Sequence, residues 1–207
     1  MDYKNFSIRL LFSSLFVFVY LLILYVNFHY IFYIIILIYF FIFLEIYLNF
    51  SKYKIIPTFY ILISFAFFYH IDFNNEIILF FNLYIVSITS FDIFSYLVGN
   101  FFGKNQLLKI SPNKTIEGFI GGFIFSILIS LLFSLYFKLN INLNLFAFII
   151  LLILTAFIGD LIESYYKRKN NLKNSSEYIP GHGGVFDRFD SFLFSIIFYS
   201  IFNNILA

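Results

Sequence analysis

The chain of 207 residues contains no cysteine, which excludes disulfides, thiolate metal sites and a cysteine nucleophile. Charge is scarce as well: Asp, Glu, Lys and Arg make up 12% of the residues, against about 25% in an average soluble domain. The net charge of +2 is too small to argue for nucleic acid or for acidic partners, so no nucleic-acid partner is expected and the placement of the charges has to carry the information. Tryptophan is absent while Phe (35) and Tyr (17) abound. With Ile, Asn and Lys also heavily used, this composition points to a coding bias toward A and T, and the aromatics read as lipid-facing filler rather than a cofactor box.

What the chain does have is apolar surface, 62% of its residues, more than a soluble fold could hide. Lys4 and Arg9 precede the first apolar run, as they would in a signal peptide. The run continues too long and lacks a small-residue cleavage site, so it reads as a first membrane span. A membrane helix needs about 20 mostly apolar residues, and about seven segments approach that length. They run from Leu10 to Phe28, Ile31 to Phe50, Ile55 to Ile71, Ile77 to Val98, Ile116 to Phe137, Leu143 to Leu161 and Phe189 to Leu206. In hydrocarbon each span must satisfy its own backbone, and none shows the alternation of barrel strands, so helices are expected. The predicted fold class is all-α, a polytopic integral membrane protein with about seven transmembrane helices. Without a repeat or linker, residues 1–207 read as one membrane-embedded domain, with generic spans in 1–91 and the chemistry in 92–190.

Basic residues favour the cytoplasmic side of short loops. With the N-terminus inside, the inner segments collect Lys4, Arg9, Lys52, Lys54, Lys104, Lys109, Lys114, Lys167, Arg168, Lys169, Lys173 and Arg188, and the outer side keeps Lys138. The two long polar stretches, Gly99 to Thr115 and Glu163 to Arg188, then face the cytoplasm. On that side the Asn-x-Ser/Thr matches at Asn113 and Asn174 are not glycosylation sites. Asp72 and Glu76 fall in an outer loop and read as solvated.

A carboxylate within hydrocarbon costs roughly 2.5–3.5 kcal/mol on insertion scales, so Asp92, Asp160 and Glu163, inside or at the ends of spans, ask for a partner or a function; a solvated place at the interface is the bland alternative. On a helix Asp160 and Ser164 share a face, while Glu163 is turned about 60° away. The cations from Lys167 to Lys173 suit phosphate, and equally suit anionic headgroups at an inner surface. Then come Pro180-Gly181-His182-Gly183-Gly184 and Asp187-Arg188-Phe189-Asp190. A glycine-rich turn before a helix start offers backbone N–H groups to a phosphate. Asp187 and Asp190, three apart, are neighbours on a first helical turn; they suit Mg²⁺, with Arg188 as a fork donor, or simply cap the helix. For His182, a structural hydrogen bond and proton transfer both stand.

These residues carry a resemblance. Ser164-x-Tyr166-Lys167-Arg168, then Lys173, then Ile179-Pro180-x-His182-Gly183-Gly184-Val185-x-Asp187-Arg188-Phe189-Asp190 closely resembles the signature of the phosphatidate cytidylyltransferase (CDP-diacylglycerol synthase) family. Asp92-x-x-Ser95-Tyr96-x-x-Gly99, Phe102-Gly103-Lys104 and Ser111-Pro112-Asn113-Lys114-Thr115-x-Glu117-Gly118 are similar to the family's upstream region. The chain departs at Asn174, where the signature has Asp, and at Ile116, where Trp is typical. The resemblance implies a nucleotidyltransferase that moves the CMP group of CTP onto phosphatidate in the bilayer and releases pyrophosphate. It implies Mg²⁺ on Asp160, Asp187 and Asp190, a second cation such as K⁺, and catalytic parts for Lys167 and Arg188 beside those acids. Around the substrates it places Ser164, Arg168, Lys173, His182, Gly183, Gly184, Ser111, Lys114 and Asp92, and it also implies a homodimer. The implied location is the bacterial inner membrane, with the N-terminus and active-site loops cytoplasmic. A CTP-dependent lipid kinase, or a cytidylyltransferase for another lipid phosphate, would need the same groups. A small transporter would instead place its acids near mid-membrane in paired halves.

Overall fold

A computed structural model describes residues 3–206 except 52, 74, 109 and 180–182. His182 therefore lies outside the described residues, as do Lys52 and Lys109. Seven helices occur among the described residues: α1 (Tyr3–Val26), α2 (Tyr30–Asn49), α3 (Ile55–Tyr69), α4 (Asn75–Phe102), α5 (Ile116–Tyr136), α6 (Leu143–Lys169) and α7 (Phe186–Leu206). Each apolar segment of the sequence forms one of them. Among the described residues four stretches are long and apolar enough to cross a membrane: Tyr30–Asn49, Ile77–Phe102, Ile116–Tyr136 and Leu143–Lys169, with Val17–Val26 and Ile55–Tyr69 shorter. The protein is an all-α, multi-pass membrane protein.

Several helices outrun their apolar segments, because a helix need not end where hydrocarbon does. Expected to stop near Val98 and Leu161, α4 and α6 continue to Phe102 and Lys169. Between α4 and α5 lies an element the sequence did not suggest, an antiparallel hairpin of β1 (Gln106–Leu108) and β2 (Ser111–Thr115), with Gln106 opposite Thr115.

The chain divides into two compact units whose boundaries fall within α3, α6 and α7: Met1–Phe65 with Tyr166–Phe189, and Ala66–Tyr165 with Asp190–Ala207. In the first, the Tyr39 hydroxyl of α2 meets that of Ser64 in α3 at 2.6 Å, and the rings of Phe50 and Phe186 lie 6.2 Å apart.

In the second, α5 packs on α4 along a stripe of small residues, Gly118, Gly122, Ser126, Ser130 and Ser134, all buried at steps of four. Small side chains let two membrane helices approach closely, and the Ser130 hydroxyl reaches that of Ser87 in α4 at 2.8 Å. Thr115 caps α5 by accepting from the Gly118 N–H at 3.1 Å, while the Glu117 carboxylate accepts from the backbone N–H groups of Lys104 and Asn105 and so ties the hairpin to the helix. The aromatics also correct an expectation. Tyr84 and Tyr199 are 0% and 1% exposed, not lipid-facing. The Tyr84 hydroxyl donates to the Phe192 carbonyl at 3.0 Å and the Tyr199 hydroxyl to the Ile77 carbonyl at 3.1 Å, which fastens α7 to α4 through buried hydroxyls that would otherwise cost free energy.

Candidate active site

In the second unit, three acids converge at the place where α6 meets the early turns of α7. Gly159 makes the meeting close: a Cβ there would stand 2.5 Å from the Asp190 carbonyl oxygen. Next to that contact Asp160, Glu163 and Asp190 bring one ligand oxygen each to within 4.8 Å of one another. Glu163 is a correction. Its 60° offset from Asp160 suggests a side chain turned away, but residues three apart on a helix are also neighbours, and Glu163, with no exposed surface, belongs to the cluster.

Like charges so close repel unless a cation stands among them. Strand β2 supplies one: Lys114 donates from Nζ to Asp160 Oδ2, with its ammonium 5.5 Å from the centre of the Phe157 ring. Lys114 was expected near substrate; here it is the cationic partner of an acid expected to bind metal. Asp92 is also tied to this region, since Ser191 donates to it through its hydroxyl at 3.2 Å while the Ser191 N–H donates to Asp190 at 2.7 Å. Ser164 is buried on α6, and Ser111 sits in β2 opposite Leu108. An all-oxygen set of three carboxylates with one lysine can hold a hard cation.

In the first unit the basic run closes α6 and then leaves it. Asn171 takes φ +58°, its N–H donates to the Arg168 carbonyl at 3.1 Å and the Leu172 N–H to the Lys167 carbonyl at 2.9 Å. That pair of bonds is a Schellman stop. Arg168 donates to the Leu172 carbonyl at 2.9 Å, and Lys173 lies exposed just beyond. Lys167 turns back to Asp187 at 2.5 Å. The other oxygen of Asp187 accepts from the Ser175 N–H at 2.9 Å, the Ser175 hydroxyl at 2.8 Å and the Gly184 N–H at 2.8 Å. Gly183, at φ +86°, exchanges two backbone bonds with Ile179, and a Cβ on it would meet Asp187 Oδ2 at 2.8 Å.

Here the structure departs from the expected phosphate cradle. The Gly183 N–H goes to Ile179, the Gly184 N–H to Asp187, and those of Val185 and Phe186 to Glu45 of α2, at 2.8 and 3.1 Å. The turn spends these donors on its own construction. Glu45 was missed altogether, being a lone acid inside a span read as generic; a buried acid in an apolar run was the signal that could have found it. Among the described residues of this unit's C-terminal stretch, Arg168, Lys169, Lys173 and Arg188 are exposed cations.

A family model described as the cytidylyltransferase family matches residues 2–206. The chain belongs to the cytidylyltransferase family. It is similar to proteins named phosphatidate cytidylyltransferase from Staphylococcus aureus (strain COL), 36% identical over 146 residues covering 70% of this chain and 55% of that protein, and from Bacillus subtilis (strain 168), 40% identical over 120 residues covering 55% and 43%. A third, from Staphylococcus haemolyticus (strain JCSC1435), is 33% identical over 147 residues, covering 70% and 55%. The chain spans about half the length of the curated relatives it matches. The cytidylyltransferase match runs through both units, so the acid cluster and the Asp187 turn both fall inside it.

Proposed function

We propose that the chain is a phosphatidate cytidylyltransferase of the bacterial inner membrane, forming CDP-diacylglycerol and pyrophosphate from CTP and phosphatidate in phospholipid biosynthesis. The observation that carries this reading is the convergence of Asp160, Glu163 and Asp190 with the ammonium of Lys114. The names of the bacterial relatives support the substrates.

The reaction asks for no protein nucleophile, which suits a chain without cysteine. A phosphate oxygen of the lipid attacks the α-phosphorus of CTP in line; the bond from that phosphorus to the bridging oxygen breaks, and the oxygen departs with pyrophosphate. Catalysis is then positioning and neutralisation of charge. The donor set fits Mg²⁺, being all oxygen and already matched to positive charge by Lys114. Asp160, Glu163 and Asp190 would hold the ion, which when bound supplies charge neutralisation on phosphate oxygens. Arg168, Lys173 and Arg188, which are exposed, would bind phosphate groups as fork or point charges. Asp187 keeps Lys167 and the glycine turn in place. With the basic loops cytoplasmic, CTP arrives from solution while phosphatidate stays in its leaflet.

The position of the label in CTP tests this against a CTP-dependent lipid kinase. Membranes containing the chain are expected to move label from the α-phosphorus into lipid and to leave γ-label in pyrophosphate. Lipid labelled from the γ-position would replace the reading with a kinase.

A further inference from the structure

Glu45 lies near the C-terminal end of an apolar helix and has no exposed surface. It is set among Ile42, Ile46 and Phe50, themselves fully or almost fully buried. Its Oε2 accepts from the N–H groups of Val185 and Phe186, the residues at which α7 begins. The first N–H groups of a helix have no partner within it, and an acid is the side chain the positive end of the helix dipole favours. A contact 140 residues distant in sequence therefore caps α7 from outside.

The cap is built into the glycine turn. A Cβ on Gly184 would lie 1.6 Å from Glu45 Oε1 and 2.2 Å from the Ser175 hydroxyl oxygen. Gly184 thus fills the narrow space between Glu45 and Ser175, and its N–H goes to Asp187. Three successive N–H groups, of Gly184, Val185 and Phe186, are shared between two acids, Asp187 from within the helix and Glu45 from α2. Among the described residues Glu45 Oε1 has no hydrogen-bond partner, so the side chain is committed to this one task.

We infer that Glu45 is a positioning residue for the transfer. By fixing where α7 starts, it sets the direction in which Asp187 presents itself to Lys167 and Ser175, and the place of Arg188, the next residue along the same turn. The kinetic half of this assignment rests on the proposed transfer; the structural half does not.

Hydrogen exchange of the whole chain in detergent, compared for wild type, Glu45→Gln, Glu45→Asp and Glu45→Ala, separates the two. Gln keeps an acceptor oxygen at the same reach; Asp is one methylene short, and Ala has no acceptor. The peptide covering 183–190 is expected to exchange about tenfold faster or more in Glu45→Ala and Glu45→Asp, and near the wild-type rate in Glu45→Gln, while a peptide within α5 is unchanged. In turnover, kcat is expected to fall in the same order with KM for CTP little altered, and Gln to restore it. Unchanged protection at 183–190 in both Ala and Asp, or a loss shared equally by the α5 peptide, overturns the inference. A wild-type chain that makes no CDP-diacylglycerol sinks the proposed function, and the cap then stands or falls on the exchange result.

Discussion

Lys167 and Asp187 are 13% and 7% exposed in their side chains, and that burial makes their pairing costly to break. Removing one partner of a buried pair leaves the other uncompensated, at a cost of about 3–5 kcal/mol. Lys167→Ala is expected to lower the thermal midpoint of the solubilised protein, and Lys167→Arg to lower it less. Asp190 answers to a different measure, since Asp190→Asn keeps its shape and loses one charge from the cluster with Asp160 and Glu163. Its expected loss is about 10²-fold or more in turnover, with the midpoint nearly unchanged. Asp160 and Asp190 were legible because motif acids at a helix end are few in so uncharged a chain. Glu163 and Glu45 were not read for opposite reasons. Glu163 was set aside by an angle that a flexible side chain spans, whereas nothing in sequence connects Glu45 to a turn 140 residues away.

At the scale of elements, the length of the apolar runs located the seven helices of the described residues, because the hydrocarbon thickness dictates that length. The places where helices touch were less visible. The α5 stripe of Gly118, Gly122, Ser126, Ser130 and Ser134 obeys a step of four that an eye set on apolar runs passes over. The hairpin β1–β2 is held by Glu117 and the Thr115 cap rather than by strand propensity, with Pro and Asn in one of its strands. Gly159 gives the sharpest test of a contact. Gly159→Val drives side-chain atoms into the backbone of α7 at Asp190 and is expected to abolish turnover while the protein still inserts; Gly159→Ala is expected to be milder. Wild-type turnover in Gly159→Val, measured in membranes with matched protein content, would remove the close approach of α6 and α7 from the explanation of the site.

For the whole molecule, the basic residues motivate a proposed side for the chemistry. With the N-terminus inside, twelve cations would fall on the cytoplasmic side and Lys138 on the other, and the absence of cysteine makes this orientation directly testable. Lys173→Cys and Lys138→Cys, each the single thiol of its protein, are expected to react with an impermeant maleimide from opposite faces of sealed vesicles, Lys173→Cys from the cytoplasmic one. Labelling of both from one face would contradict the proposed orientation. The measurement that bears most directly on function is formation of CDP-diacylglycerol from labelled CTP and phosphatidate by membranes carrying the wild-type chain or Asp190→Asn, each with Mg²⁺ and with chelator. Product that requires the metal and is lost with Asp190→Asn is the expected result. Either no product from well-inserted wild-type protein, or product undiminished by the substitution, would contradict the assignment of this chemistry to the acids of α6 and α7.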